Sequence, residues 1–481
     1  MSDPKMNRVA LVARRHFLRD CGVGVGKAAL AALLAEESLR SARAAETGPF
    51  SLAPKKPHFT PKATAVIHLF MAGGPSHLDL FDYKPQLVKY AGKPIPPSVI
   101  MGQRYAFIRS DAACLAPVFK FKKYGQSGTE LSELLPHTAS IADELCFIRS
   151  MHTDQFNHAP AQIFFNTGFS QPGRPSIGSW ALYGLGAETK SLPAFVVMST
   201  GSGISGGSAN WSSGFLPSSL AGVRLRNQGD PILNVARPDG VDEELQADTI
   251  NLVTDLNRKR LAEIGDPEIA TRIAAYETAF KMQVSAPELM DLKKESKATL
   301  DLYGCDPDKP SFARACLLAR RMIERGVRFV NIYHEGWDAH DDVVGNHTKN
   351  CKQTDQASAA LVKDLKARGL LSKTLVIWGG EFGRTPMVES NPALGRKQGR
   401  DHHPQAFTMW MAGGGVKPGQ TIGATDDLGF HVAQDPVHVH DVQATILHLL
   451  GFDHERLTYR HAGRDFRLTD VFGHVVKRVV S

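Results

Sequence analysis

Three hydrophobic, strand-like runs in the last third of the chain each lie beside side chains that bind metals. Residues 327–333 lead into His334-Glu335-Gly336-Trp337-Asp338-Ala339-His340. Residues 374–378 lead into Gly379-Gly380-Glu381-Phe382-Gly383-Arg384, and Asp401-His402-His403 stands just before the run 406–411. In open α/β sheets, function collects in the crevice at the carboxyl ends of the strands. Carboxylates and imidazoles arriving there from separate strands are what a divalent cation needs.

The rest of the chain supports such a sheet. Residues 63–71 form an apolar run that stops at Gly73-Gly74-Pro75, as a buried parallel strand stops at a functional loop. Residues 131–145 carry apolar residues at helical spacing and feed a short strand at 146–148; helix follows over 159–167, closed by Gly168. A strand at 192–198 precedes a long Gly/Ser-rich loop, 199–214. Residues 241–303 read as a polar helical excursion, after which helix to Arg325, strand, helix 354–368, strand and a last helix 442–450 resume the alternation. The expected fold is α/β, a mostly parallel sheet sandwiched between helices, in one domain over 61–481.

The N-terminus reads as an export signal over 1–44. Arg14-Arg15 with His16-Phe17-Leu18 is a twin-arginine motif, an apolar stretch follows, and Ala42-Arg43-Ala44 supplies a small-residue cleavage pattern. That stretch is short and interrupted by Lys27, so no stable membrane span is expected. Export through the twin-arginine machinery implies a periplasmic or extracellular protein. Residues 45–60, rich in Pro and Lys, read as a flexible leader. The formal charge of +7 is concentrated at this end: outside 1–44 the chain has 48 basic against 45 acidic residues, which argues against nucleic acid. No Cys-x-x-Cys pair exists, which excludes a zinc ribbon. Buried free thiols are the default, with one disulfide joining Cys305 to Cys316 or Cys351 as the alternative.

Asp338 and His340, two apart, point to one side of an extended segment and suit chelation of one ion, against the alternative of a solvated polar loop. Glu381 follows two glycines that allow close backbone approach, and Arg384 offers a planar fork to an anion or to Glu381. Asp401, His402 and His403 form the densest ligand cluster. Adjacent side chains diverge, so one histidine is expected to bind and the other to serve outside the coordination sphere. His77 and Asp79 follow the first strand as further metal candidates, Asp79 serving equally well as a helix cap. His152, Asp154, Asn157 and His158 precede a helix start, where backbone N–H groups face an anion. Asp441 is expected to cap the last helix.

Taken together, GGPSHLDLFD (73–82), NHAPAQIFFNTG (157–168), GRPSIGSW (173–180), NWSSGFLP (210–217), GWDAH (336–340), GGEFGRTP (379–386), GRDHHP (399–404) and HDVQATILHLLG (440–451) resemble the sulfatase-like bacterial family of unknown function numbered 1501. More loosely, the chain is similar to the alkaline phosphatase and sulfatase superfamily. That resemblance implies an alkaline phosphatase-like fold and a divalent metal: zinc, calcium, magnesium or manganese. Glu381 stands where sulfatases carry Asp-His-Gly, and His158 where they carry the nucleophile, with Gln162 in place of Arg. Gly73-Gly74 replaces the Asp pair that usually ends the first strand.

Two readings follow. One is an exported metal-dependent hydrolase of sulfate or phosphate esters. Asp338, His340, Glu381, His402 or His403, with Asp401, His77 and Asp79 as further candidates, supply metal ligands, and His158, Asn157 and Arg384 act on the anionic ester. The other is a catalytically silent protein that binds anionic polymers, polysaccharides among them, at the cell surface.

Overall fold

The computed structural model describes residues 52–100, 111–189, 191–201, 204–227, 240, 242–389 and 398–481. The expected export signal, Arg14-Arg15 included, lies outside them. Residues 52–481 form one compact unit built on a nine-stranded sheet. In chain order its strands are β1 (Ala65–Ala72), β2 (Cys146–His152), β3 (Phe195–Thr200), β4 (Val223–Arg224), β5 (Phe329–Glu335), β6 (Thr374–Gly379), β9 (Phe407–Ala412), β10 (Gln420–Ile422) and β11 (Val437–His438). Labels β7 (Gly383–Val388) and β8 (Arg400–His403) belong to a separate antiparallel ribbon. The spatial order is β10-β2-β9-β6-β1-β5-β3-β4, with β11 beside β2.

Every pairing in the main sheet is parallel except those of β9, which runs antiparallel to both β2 and β6. That reversal places the amino end of β9 at the carboxyl edge of its neighbours. Asp401, His402 and His403, which precede β9, therefore arrive at the same edge as the residues that follow β1, β5 and β6.

The sheet is covered on both faces, as continuous apolar strands require. All residues of β1, β6 and β9 are buried. On β1, Ile67, Leu69 and Met71 join one core with helices α5 (Phe312–Glu324) and α6 (Val343–Ala367), while Val66 and Phe70 join another with α1 (His158–Thr167), α2 (Ile177–Leu185) and α7 (Val439–Leu449). The helical excursion is present as α3 (Glu243–Ile264) and α4 (Pro267–Met290), then a short helix, Lys297–Tyr303. Among the described residues no helix is long and apolar enough to cross a membrane.

Four local expectations need revision. Residues 131–145 are not one helix: Thr129–Ser132 is a strand paired with Phe121–Tyr124, and Pro136 starts a single short helical turn. Helix α6 begins eleven residues before Thr354, capped by Asp342, whose carboxylate accepts from Gly345 N at 2.8 Å. The cap of α7 is His438 rather than Asp441, which instead returns a hydrogen bond to the His438 N–H in a capping box. Residues 52–60, read as leader, are tied to the body, with Lys55 N donating to Leu185 O and Phe59 N to Gly451 O. The five described cysteines are buried free thiols.

A buried ion pair fixes the β7–β8 ribbon to the segment after β1. Arg400 on β8 grips Asp79 with Nε–Oδ2 at 2.7 Å and Nη2–Oδ1 at 3.2 Å, and neither side chain is exposed. Replacing Arg400 by Met is expected to cost about 3–5 kcal/mol in denaturant unfolding, because it strands a buried carboxylate. Adding Asp79→Leu to that variant should recover part of the loss. An Arg400→Met cost within experimental error of zero contradicts the assignment.

Candidate metal centre

The site lies at the carboxyl edge beyond β1, β5 and β6, the centre of the sheet. Asp338 and His340 come from the loop after β5, Glu381 from the turn after β6, His402 from β8 and His158 from the first turn of α1. Ligand atoms of His158, Asp338, His340 and His402 all lie within 4.8 Å of one another, so the group could hold a metal ion. Asp338 Oδ1 is 2.9 Å from His340 Nε2 and 3.3 Å from His402 Nε2, and its Oδ2 is 3.3 Å from His158 Nε2. The two imidazole nitrogens, His340 Nε2 and His402 Nε2, are 3.0 Å apart.

The far side of each ring decides what those nitrogens carry. His402 Nδ1 faces the carbonyl of Phe156 at 2.8 Å and must donate to it. His340 Nδ1 donates to the buried carboxylate of Glu389, and His158 Nδ1 to Glu381 Oε1 at 2.7 Å. With Nδ1 protonated in each ring, His402 and a neutral His340 turn bare Nε2 lone pairs toward Asp338, whereas His158, charged between two carboxylates, carries a second proton at Nε2. Two bare lone pairs of His340 and His402 across 3.0 Å would repel, and either a proton on His340 Nε2 or a metal ion bound by both rings relieves that repulsion. The donor set therefore fits a divalent metal held by imidazole and carboxylate. Asp338 is the open member, its side chain 42% exposed, whereas Glu381 and Glu389 are buried.

Charge at the site follows from this packing. Burial, helped by the Arg384 guanidinium and opposed by Asp338, lowers His402 to about 4, so it is neutral at pH 7. Burial also acts to lower His158, but Asp338 and Glu381 on either side overcome it and raise this ring to about 9. Burial pushes Asp338 upward, yet the three imidazoles and Arg384 hold it well below the ordinary carboxylate range. Glu381 is likewise lowered against its burial by His158 and Gln162. Asp401 is raised by burial and by its neighbour Glu389.

The remaining expected site residues are placed elsewhere or do other work. His403 points away from the cluster to the carbonyl of Phe430, because it follows His402 in regular pairing and successive side chains of a strand face opposite sides. His77 Nε2 lies 3.0 Å from Gly429 O, and Asp79 is committed to Arg400. Asp401 accepts from His402 N at 2.7 Å and does not meet Asp338, but with His340 and Glu389 it forms a second group whose ligand atoms lie within 4.8 Å of one another and could hold a metal ion. Arg384 does not present its fork to the opening. It is fully buried and donates to Asp338 Oδ1 at 2.6 Å and to the carbonyls of Gly73, Gly74 and Arg400. Asn157 caps α1 without a side-chain hydrogen bond to the helix and is exposed beside His158. His152 and Asp154 sit with His438, the Asp154–His438 separation being 3.4 Å.

Sequence reasoning did not single out Glu389 or the Phe156 carbonyl; it saw Gln162 only as a departure from a motif, and Gly73 as part of the loop that ends the first strand. Gln162 Nε2 donates to Glu381 Oε1 at 3.1 Å, and Gly73 N donates to both Glu381 oxygens at 3.0 and 3.2 Å. Gly73, at φ +119°, is where the Asp338 loop presses in: a Cβ there would lie 2.5 Å from Asp338 N. No carboxylate fits at that position.

A family model described as a protein of unknown function (DUF1501) matches residues 63–480. No curated protein matches the chain in sequence. Solved structures similar to it include the lipoteichoic acid synthase LtaP from Listeria monocytogenes, 10% identical over 84% of this chain and 77% of that one, with TM-score 0.33. The PsFucS1 sulfatase from Pseudoalteromonas sp. is 12% identical over 82% and 68%, with TM-score 0.34. A TAB5 alkaline phosphatase mutant is 12% identical over 82% and 99%, with TM-score 0.33.

The His158 bridge gives a pH signature in metal-free protein. Its folded value, about 9, is above the ordinary 6.5, so its stabilisation is complete below pH 6.5 and fades as pH rises through about 9. Chelated wild type should lose on the order of 3 kcal/mol between about pH 6 and pH 10 relative to His158→Gln, read from denaturant midpoints. Parallel curves for the two proteins refute the bridge. Gly399→Ala should weaken metal retention at least tenfold by metal titration, since its Cβ would fall 1.9 Å from the His340 carbonyl carbon and displace that ring.

Proposed function

The chain belongs to the DUF1501 family, and on that footing we propose that it is an exported, metal-dependent hydrolase of sulfate or phosphate esters. One observation carries this reading: three imidazoles with outward Nδ1–H anchors turn Nε2 toward one accessible carboxylate. Asp338, His340 and His402 would hold the metal, three ligands being the number that leaves a catalytic ion an open position. A divalent cation there supplies Lewis-acid activation of the ester oxygen and of water.

The chain's own residues do the rest. His158 holds a proton at Nε2, on the Asp338 side, and Glu381 keeps that proton in place by accepting from Nδ1. It thus serves as the acid that protonates the departing oxygen. Gln162 and Gly73 N fix Glu381 in turn. Arg384 holds Asp338 against the pull of the histidines and ties the loop after β1 to the start of β8. Exposed Asn157 and the opening turn of α1 face an anionic substrate, which helix N-termini favour. Twin arginines at 14–15 and the small-residue pattern at 42–44 support export in the folded state, to the periplasm or beyond.

A second reading rests on its own observation. The start of α1 presents His158 where sulfatases carry a nucleophile, and that ring is engaged on both sides. This favours a silent protein that binds anionic polymers. Elemental analysis with a chromogenic phosphate and sulfate ester separates the two. The hydrolase should retain about one divalent ion and turn over one ester. Asp338→Asn and His402→Ala should lose both. His158→Gln should keep the metal and lose about 10²–10⁴-fold in kcat. Metal without turnover of either ester leaves the binding reading standing, and absence of metal ends the hydrolase reading.

A further inference from the structure

The α3–α4 excursion carries an exposed stripe that the metal centre does not use. Helix α3 packs against α4; its Thr254 is buried and its Ile250, Val253 and Leu261 are half-buried. Arg258 ties it to Glu277 of α4 at 3.7 Å. On the opposite side, Leu252 is 62% and Leu256 58% exposed, and Ile264 is also exposed at 58%. These lie on one i, i+4 ridge: Glu244, Asp248, Leu252, Leu256, Arg260, Ile264. All six are exposed, and among the described residues none of the three charged ones forms an ion pair. Two large apolar side chains in the middle of a solvent-facing ridge mark a surface that associates.

The order of charges identifies the partner. The ridge is acidic before its leucines and basic after them. Reversing a second copy of the same helix about a two-fold axis at the level of Thr254 sets Leu252 against Leu256 of the other copy. It sets Asp248 against Arg260, and both contacts occur twice. A parallel arrangement would instead set Asp248 near Asp248 and Arg260 near Arg260. We propose that α3 is a self-complementary antiparallel interface through which two copies of this chain dimerise, by apposition of Leu252 and Leu256 flanked by Asp248–Arg260 pairs. The interface is one helix face about 33 Å long, at the small end of specific interfaces, below roughly 1,200 Å² in total. It therefore gives a concentration-dependent dimer, weakened by salt, rather than a permanent one.

Charge exchange tests this without touching the core or the metal centre. Sedimentation equilibrium of the full chain at low ionic strength should show a monomer–dimer equilibrium. Asp248→Arg alone and Arg260→Asp alone each place like charges in both flanking contacts and should raise the dissociation constant about tenfold or more. Mixing the two variants restores opposite charges at both contacts, so the mixture should dimerise at least as tightly as wild type. The proposal is overturned if wild type stays monomeric across the concentration range. It is equally overturned if either single variant dimerises like wild type, or if the mixture remains as weak as its components.

Discussion

The geometry of the site rests on three hydrogen bonds made on its far side. His158 donates to Glu381, His340 to Glu389 and His402 to the Phe156 carbonyl, all from Nδ1. Each bond fixes a tautomer, and the tautomer decides what faces Asp338. Two of the three acceptors are buried carboxylates, which are costly unless paired. The fold meets that cost with the histidines themselves, and for Glu381 with Gly73 N and Gln162 as well. Removing an outer acceptor would free its ring to turn, so the outer residues matter to the site as much as the inner ones.

Backbone direction does the remaining positioning. β1, β5 and β6 run parallel at the centre of the sheet, so the loops that leave them converge. β9 runs against them, which lets a segment preceding a strand join segments that follow strands. Gly73 and Gly399 allow the Asp338–His340 loop to lie between β1 and the ribbon, where any Cβ would collide with its backbone. Glycine at position 73 is thus accounted for by packing: the space is filled by the loop that carries Asp338.

Much of this was legible in the sequence, and the failures have physical causes. Apolar runs located β1, β5, β6 and β9 because strands buried on both faces leave continuous hydrophobic stretches. The first three turns of α6 were missed because Asn346, His347 and Asn350 break the apolar pattern. His347 and Asn350 are nonetheless buried, and all three serve as donors and acceptors for neighbouring loops: both asparagines donate to Gly336 O at 2.8 Å, and His347 Nε2 accepts from Ser76 N at 2.9 Å. At the site, Asp338, His340 and His402 follow from ligand chemistry placed near strand ends. That adjacent histidines diverge was also readable, but which one turns inward depends on a register shift in β8 that composition does not encode. Arg384 looked like an anion grip because its type suits one. Its burial, set by tertiary packing, directs it to Asp338 and to three carbonyls instead. Glu389 carried no local signal, being one acidic residue just past a strand.

Anomalous diffraction from crystals of the protein, collected above and below a transition-metal absorption edge, tests the central claim most directly. The account requires one peak about 2.0–2.2 Å from His340 Nε2, His402 Nε2 and an oxygen of Asp338. No peak there in crystals grown with the metal supplied, or a peak on other residues while His340 and His402 keep only their outer hydrogen bonds, would contradict it.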